Sequence, residues 1–341
     1  MIRRITTVLL GLTILLVMAS CGQSSSVKGK GKAAMVMVGL AMDQASQSAQ
    51  TGESIQGRLE TDGHTVELAY ASSAEEQAQQ VSALVEDGAS VMVLQPIDSL
   101  EAAKTLSSIS VDVTNVAVVA CGAPISADTV DVYLGPDLFA MGQEQARQVL
   151  KQLGLETPSA AFEGDAYAVE LVAGNGAQRA IEGAMDVLTP YVQSGMVTLP
   201  SGSDPETCCT KDPQAMVKGL CQGRYADSEL SAVLCLGEGQ ANQVVDALLS
   251  NYTGAAFPVV TGYGCDETSL QYLASHLVSA LCISEEADYT ALVQKTVAAL
   301  GEGTMEDIIV PCNTVTPENY KEQLVDTGLY TAHKGGTFTK N

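Results

Sequence analysis

A set of residues able to hydrogen-bond or stack on a polar molecule lies at, or just beyond, the carboxyl ends of predicted strands. Carboxylates and amides pair with hydroxyl groups, a tyrosine ring stacks on an apolar face, and a thiol offers a small, polarisable contact. Capping of the following helix is an alternative role for the acidic residues, and Asp43, Asp98 and Asp266 suit it well. The candidate ligand-binding residues are Asp43, Gln44, Gln47, Asp98, Cys121, Asp137, Asn175, Glu238, Gln240, Tyr263 and Asp266.

The elements that must position these residues alternate between strand and helix. Apolar runs such as 35–41 (MVMVGLA), 91–95 and 116–120 are typical of strands buried on both faces. Helical segments separate them, which predicts βαβ units and parallel sheets. After a predicted helix at 138–153 the pattern starts again, so we expect an α/β protein with two similar halves.

The composition excludes several classes of protein. The chain of 341 residues has 17 Lys and Arg against 40 Asp and Glu, a formal charge of −23. Binding to nucleic acid or to anionic lipid through a basic patch needs clustered Lys and Arg, so neither is expected. A hydrophobic fraction of 46% is enough for a large core.

The first residues predict export. Arg3 and Arg4 precede a short apolar run from Ile5 to Ala19, followed by Ser20 and Cys21. This resembles a bacterial lipobox, which implies a signal peptide at 1–20, acylation of Cys21 with palmitate or a similar lipid, and attachment to the cell membrane by that lipid alone. Residues 21–33 then form the lipidated cysteine and a flexible tether. The alternative is an ordinary secretory signal with an accidental cysteine.

The chain resembles the periplasmic sugar-binding proteins of the ribose/galactose/xylose class, closest to the multiple-sugar-binding lipoproteins of ABC transporters. The segments that carry the resemblance are 91–99 (VMVLQPIDS), 183–195 (GAMDVLTPYVQSG), 260–262 (VTG) and 318–330 (ENYKEQLVDTGLY). It implies a type I periplasmic binding protein, with two doubly wound parallel-sheet lobes joined by a three-crossover hinge. The crossovers are expected at 135–137, 282–284 and 311–313. The implied lobes are 34–136 plus 283–311 and 137–282 plus 312–330, followed by a tail at 331–341.

The resemblance implies a small polar, carbohydrate-like ligand that binds between the lobes, at the carboxyl ends of the strands. The implied partner is an ABC permease, and the implied state is a monomer without cofactor. The sequence departs from the family where sugars are usually held. Residues 42–50 contain no Arg-Trp pair, 120–122 read Ala-Cys-Gly in place of Tyr-Asp-Arg, and 263–264 read Tyr-Gly in place of Gln-Asp. Tyr263 is the aromatic residue best placed to stack on a ligand.

Nine cysteines are unusually many for such a receptor, and Cys21 is assigned to lipid. Cys282 and Cys312 fall at two expected crossovers, where a disulfide would stiffen the hinge. Three others (Cys121, Cys235 and Cys265) follow strands and suit either a thiol-lined site, a redox pair or small apolar filler. The sequence has no Cys-x-x-Cys motif and its three histidines are scattered, so no metal site is predicted.

The leading hypothesis is therefore a lipid-anchored, extracytoplasmic solute-binding protein of an ABC importer rather than an enzyme. No hydrolase elbow, zinc-protease motif or Walker loop is present, and no catalytic residue is assigned. Two alternatives remain open: a sensor or adhesion lipoprotein that kept the fold without transport, and an enzyme that uses cysteines of the cleft.

Overall fold

The structure, a computed structural model, describes residues 36–44, 46–109, 115–159, 161–174, 176–284, 289–302 and 306–341. The predicted signal peptide, Cys21 and the predicted tether lie outside these ranges. Within them, no helix is both long and apolar enough to cross a membrane.

The first lobe, called the N-lobe here, is built on a six-stranded sheet with the order β11-β5-β4-β3-β1-β2. Its strands are all parallel. The inner strands β1, β3 and β4 are nearly continuous apolar runs because helices cover both faces of the sheet, whereas the edge strand β2 alternates polar and apolar residues. One face packs on α1 and α10, and the other on α2 and α3. The elements are β1 (Met37–Asp43), α1 (Ser46–Thr61), β2 (Thr65–Ala71), α2 (Ala74–Glu86), β3 (Val91–Leu94), α3 (Ser99–Ser108), β4 (Ala117–Cys121), β5 (Val132–Pro136), α10 (Tyr289–Glu302) and β11 (Ile308–Val310).

The second lobe, called the C-lobe, is built on a six-stranded sheet with the order β12-β10-β9-β8-β6-β7. Helices α4 and α5 cover one face of this sheet, and α7 to α9 cover the other. The elements are α4 (Leu138–Gln152), β6 (Tyr167–Val172), α5 (Gln178–Gln193), β7 (Val197–Thr198), α6 (Pro205–Cys208), α7 (Pro213–Gln222), β8 (Ala232–Glu238), α8 (Gln240–Asn251), β9 (Val259–Tyr263), α9 (Glu267–Ala274), β10 (Ala280–Ser284) and β12 (Cys312–Val315).

The chain passes between the two sheets three times, which confirms the predicted fold of two doubly wound lobes. The first crossing follows β5 and leads into α4 through Asp137. The last lies between β11 and β12, at Pro311. The middle crossing was expected at 282–284, but these residues are the end of β10, so it lies between Ser284 and Tyr289, outside the described residues. Strand β12 runs antiparallel to β10, which the hydropathy pattern did not predict.

Helices α4 and α5 pack against each other through two glycines. A Cβ on Gly142 would lie 2.0 Å from the carbonyl oxygen of Ala180, and a Cβ on Gly183 would lie 2.0 Å from that of Phe139. Both positions therefore require glycine for the helix backbones to approach so closely. The contact holds α4, the helix that follows the first crossing, in the C-lobe.

The end of the chain is part of the C-lobe core. A π-helical turn covers Lys321–Val325. The residues expected only as a tail, 331–341, take part in a hairpin of β13 (Tyr330–Ala332) and β14 (Phe338–Lys340). Phe338 is buried and packs edge-on against the ring of Tyr320. The main-chain N–H of Lys340 donates to Glu267 at the start of α9.

Candidate functional site

The two lobes contact each other across a cleft at the carboxyl ends of their strands. On the N-lobe side, Asp98 follows β3 and caps α3 by accepting hydrogen bonds from the N–H groups of Leu100 (3.0 Å) and Glu101 (3.2 Å). On the C-lobe side, Lys211 lies in the segment between α6 and α7. Its Nζ is 3.0 Å from Oδ2 of Asp98. This ion pair joins the two lobes directly.

A second contact beside it shows how closely the lobes approach. Gly176, after β6 in the C-lobe, has a positive φ of 88°, and a Cβ there would lie 2.5 Å from Oγ of Ser99 in the N-lobe. Glycine is required both for the backbone conformation and for the approach. Together with the Asp98–Lys211 pair, this contact places the molecule in a closed arrangement of its lobes.

At the hinge end of the cleft, three tyrosines and one carboxylate come together from both lobes. Tyr133 on β5 and Tyr289 at the start of α10 belong to the N-lobe, and Glu238 and Tyr263 are paired at the ends of β8 and β9 in the C-lobe. The three tyrosines are near enough to one another that ionisation of one would raise the pKa of another. We call these four residues the tyrosine cluster.

Burial dominates the electrostatics of the tyrosine cluster. Desolvation raises the pKa of Tyr133 and of Tyr263, and it raises that of Tyr289 to about 12, so all three hydroxyls are protonated donors at neutral pH. Glu238 is exposed to the cleft, but the protein around the cleft still removes part of its solvent. This desolvation raises its pKa, opposed by the positive charge of Lys340 on β14. The cluster thus combines aromatic surfaces, hydroxyl donors and one carboxylate acceptor.

Tyr133 also fixes the first crossing of the hinge. Its hydroxyl donates to the carbonyl oxygen of Pro136 at 3.0 Å, and its ring covers Gly135 so closely that a Cβ there would lie 2.4 Å from Oη. The N–H of Asp137, the next residue, donates to Val310 on β11. The cluster is therefore attached to two of the crossing segments.

Three predicted site residues have evident structural roles. Oδ1 of Asp137 accepts the N–H of Ala140 at 2.9 Å and caps α4. The carboxylate of Asp266 caps α9 and accepts two hydrogen bonds from Asn242; although burial opposes ionisation, these bonds lower its pKa. Gln240 is buried, and its Oε1 accepts the N–H of Gly237 at 3.0 Å, which stabilises the turn into α8.

The remaining predicted residues are not part of the tyrosine cluster, and two of them are not described or only partly described by the structure. Asp43 is the last residue of β1 and Gln44 is exposed just beyond it. Cys121 was expected to face the cleft, but it is 4% exposed and packs in the N-lobe core, near Tyr133 and Tyr289. Gln47 lies in the first turn of α1 and its side chain is not described, and Asn175 is outside the described residues.

The structure does not bring the cysteines together as a shared site. Cys121 lies in the N-lobe, Cys235 is fully buried in the C-lobe core, and Cys265 is half-buried beside Tyr330. Burial raises the pKa of Cys121 to about 12, so its thiol is un-ionised. Apolar filler is the role that best fits Cys121 and Cys235. In the described part of the chain, no group of three or more His, Cys, Asp and Glu side chains could hold a metal ion.

The expected hinge cysteines are close together but not bridged. Strands β10 and β12 pair Cys282 with Thr314 and Ser284 with Cys312, so the two cysteines are two positions out of register. Diagonal neighbours of this kind are about 7–8 Å apart, beyond the usual Cα separation of a disulfide. Both thiols are free, and they line a cavity of about 200 Å³ beside α4.

The sequence did not single out Lys211, Tyr133 or Tyr289. Lys211 is far from Asp98 in the sequence, and its role depends on how the two lobes meet. Tyr133 lies inside a strand and Tyr289 opens a helix after the middle crossing, so neither stands just beyond a predicted strand, the position that the candidate residues share. The one signal in the sequence was the scarcity of aromatic residues, with no Trp and 4 Phe. With so few aromatic rings, each tyrosine near the hinge becomes a candidate for stacking on a ligand.

Comparisons with known proteins agree with this geometry. A family model described as a periplasmic binding protein domain matches residues 38–305. The multiple sugar-binding periplasmic receptor ChvE of Rhizobium radiobacter is 26% identical over 328 residues, covering 86% of this chain and 91% of that protein. The multiple sugar-binding periplasmic protein SbpA of Azospirillum brasilense is 27% identical over 326 residues, covering 86% and 89%.

A solved structure is similar over the same span. The solute-binding protein of an ABC transporter from Clostridium phytofermentans, determined with bound β-D-glucose, has a TM-score of 0.73 and 27% sequence identity. The match covers 86% of this chain and 98% of that one. The myo-inositol binding protein of Caulobacter, at 16% identity and a TM-score of 0.63, shares the fold.

Proposed function

The chain belongs to the family of periplasmic binding protein domains, and from that membership we propose that it captures a sugar between its two lobes. The observation that carries the proposal is the tyrosine cluster at the hinge end of the cleft. Aromatic rings bind the apolar C–H faces of a sugar, while hydroxyls and a carboxylate pair with its hydroxyl groups. The names of the multiple-sugar-binding relatives and the glucose in the similar solved structure support the same class of ligand.

The binding residues we propose are Tyr133, Tyr263, Tyr289 and Glu238 from the cluster, with Asp43 and Gln44 at the rim of the N-lobe. Buried polar groups of a sugar must each find a partner, because an unpaired hydroxyl costs roughly 1–3 kcal/mol. The Glu238 carboxylate is the acceptor in this set, and the Tyr289 hydroxyl is a donor to a ring or hydroxyl oxygen. The hydroxyl of Tyr133 already donates to Pro136, so Tyr133, like Tyr263, offers its ring. This set replaces the Arg, Trp and Asp residues that the family uses more commonly.

A thermal-shift screen of the purified protein tests the proposal. D-glucose is the first probe, followed by pentoses, other hexoses, myo-inositol and nucleosides. A ligand at a hundred times its Kd adds about 2.7 kcal/mol to the stability of the folded state, which is a readily visible shift. A shift with a sugar that is absent with nucleosides supports the proposal, and silence with every sugar contradicts it.

Transport and anchoring complete the proposal. We propose that the loaded protein delivers its sugar to an ABC permease from outside the cytoplasm, as a monomer held to the membrane by lipid on Cys21. Uptake of the bound sugar should then require both this protein and the permease. If binding is intact but uptake is unchanged on deletion of the protein, the sensor or adhesion alternative is favoured. Labelling with a palmitate analogue should mark the wild type and be lost in Cys21→Ser.

A further inference from the structure

The cavity of about 200 Å³ beside α4 lies under the edge strand β12 of the C-lobe sheet, and none of the proposed sugar-binding residues lines it. Three of its lining residues carry sulfur: Cys282 on β10, Cys312 at the start of β12 and Met141 on α4. Cys282 and Met141 are buried, Cys312 is half-buried, and both thiols are free. The other lining residues are Ala140, Glu144, Arg147 and Thr314.

The pairing of β10 with β12 sets the two thiols on one face of the sheet. Cys282 lies opposite Thr314, and Thr314 and Cys312 are alternate residues of one strand, so all three side chains point to the same side. Helix α4 covers that side, since Sγ of Cys282 donates to the carbonyl oxygen of Met141 at 3.8 Å. The two cysteines are therefore diagonal neighbours that face the same helix.

The separation of these cysteines suits an inserted metal ion better than a disulfide. Diagonal neighbours are about 7–8 Å apart at Cα, whereas a disulfide joins Cα atoms no more than about 6.8 Å apart. A metal–thiolate bond is about 2.3 Å long, the value for zinc, so an ion between two sulfurs holds them about 4.6 Å apart. The sulfurs of a disulfide are only about 2 Å apart. An ion between the thiols thus spans the additional distance.

The available donors favour a soft ion of low coordination number. Thiolate and thioether sulfur are the ligands that bind Cu(I). A structural zinc ion takes four ligands and an iron–sulfur cluster takes four cysteines. In the part of the chain that the structure describes, no group of three or more His, Cys, Asp and Glu side chains could hold a metal ion. Glu144, the carboxylate of the lining, already pairs with Arg147 at 3.5 Å and accepts from Gln148 at 2.7 Å.

The thiols are protonated until a metal ion binds. Burial raises the pKa of Cys282 to about 12 and that of Cys312 to about 11. The charged groups around them are Asp137 near Cys312, and Glu144 and Arg147 in the lining. A coordinated thiol loses its proton to solvent, so binding of one monovalent ion by both cysteines releases two protons.

We propose that Cys282 and Cys312 bind one Cu(I) ion as a two-thiolate site between α4 and β12. The copper stays Cu(I) and no electron is transferred, since the ion only replaces the two thiol protons. Cys312 follows Pro311 of the last crossing, and β10 leads into the middle crossing. The bound ion therefore fastens together the C-lobe ends of two crossing segments, outside the sugar site.

Competition with bicinchoninate, a coloured Cu(I) chelator, tests the site in the purified protein under argon with ascorbate as reductant. We expect the wild type to withdraw Cu(I) from the chelator, and Cys282→Ser and Cys312→Ser each to withdraw one equivalent less. Cys282→Ala repeats the test if serine is poorly tolerated in the buried position. Cys209→Ser is the matched control, because Cys208 and Cys209 are the only adjacent cysteines in the sequence, and it should keep this equivalent.

X-ray absorption at the copper edge identifies the ligands, and we expect sulfur neighbours only in the complex with one equivalent. The proposal is overturned by nitrogen or oxygen as the main neighbours, or by a wild type that withdraws no Cu(I). It is also overturned by an equivalent that is lost in Cys209→Ser but kept in Cys312→Ser. Both measurements are made without sugar, so a protein that binds Cu(I) but no sugar contradicts the proposed function alone.

Discussion

Lys211 and Asp98 belong to different lobes and meet at 3.0 Å across the cleft. The carboxylate is 8% exposed and already caps α3, whereas the lysine side chain is 78% exposed and reaches it from a loop. The nearby carboxylate raises the pKa of Lys211, so the ammonium form is favoured. The pair is therefore formed from one preorganised partner and one mobile partner, and it exists only when the lobes are closed.

Removal of this pair should weaken the closed state. We expect Lys211→Ala to raise the Kd for the bound sugar by about twofold to fivefold, the usual size of an exposed ion pair. The effect should appear mainly in the dissociation rate, because the contact forms after the sugar has entered. Calorimetry and stopped-flow measurements at low and high salt check this, and the difference from wild type should shrink in high salt.

Lys218→Ala provides the matched control, because Lys218 is an exposed lysine on α7 and its loss changes the net charge equally. An equal loss of affinity in both variants would show that overall charge, and not the contact between the lobes, is responsible.

Tyr263 should contribute through its ring rather than its hydroxyl. Tyr263→Ala should raise the Kd for sugar by about fivefold to tenfold, since aromatic stacking contributes roughly 0.5–1.5 kcal/mol. Tyr263→Phe should stay within about threefold of wild type, because the ring remains. The comparison variant is Tyr167→Ala, at the start of β6 and away from the cleft. Equal losses in Tyr263→Phe and Tyr263→Ala would contradict stacking and assign the effect to the hydroxyl.

The fold could be predicted from the sequence because most inner strands are apolar runs and a helix follows each at a short distance. The predicted strand boundaries differ from the structure mostly at the carboxyl ends of the strands. The apolar run of β1 ends at residue 41, but the strand continues to Asp43. Hydropathy fails there because main-chain pairing continues after the side chains become polar, and the same residues then form the edge of the cleft.

Less of the site could be predicted. Glu238 and Tyr263 were found because they follow strands, which is where parallel sheets bind ligands. Many of the other candidates follow strands for a second reason, since helix caps such as Asp98, Asp137 and Asp266 occupy the same places. Tyr133, Tyr289 and Lys211 enter the cleft through the association of two lobes, and no local pattern encodes that association.

The packing of α4 on α5 gives a prediction about stability. Gly142→Ala should destabilise the protein by about 1–3 kcal/mol, because the new methyl group would overlap Ala180 and push the two helices apart. Gly219→Ala, also inside a helix but with no atom within 4 Å of the added Cβ, should stabilise it by about 0.5–1 kcal/mol. Urea unfolding of both variants checks the pair. Stabilisation by Gly142→Ala would mean that the helices separate at no cost.

Glu238 gives a prediction about pH. Its pKa is raised by desolvation in the folded protein, so the folded state binds a proton more tightly than the unfolded chain does. The protonated form therefore favours folding at low pH, and this contribution is lost as pH rises through the raised pKa. Glu238→Gln, which stays neutral, should increase Tm relative to wild type at pH 7, and the increase should shrink as pH falls towards about 4.

Sugar binding should show the opposite trend, because the ionised carboxylate is the stronger hydrogen-bond acceptor. The wild-type Kd should rise as pH falls through the raised pKa of Glu238. The Kd of Glu238→Gln should be higher than that of wild type at pH 7 and nearly independent of pH. Glu163→Gln, an exposed glutamate outside the cleft, serves as control and should keep the wild-type profile in both measurements. A pH-dependent Kd that persists unchanged in Glu238→Gln would place the titrating group elsewhere and remove Glu238 from the proposed binding set.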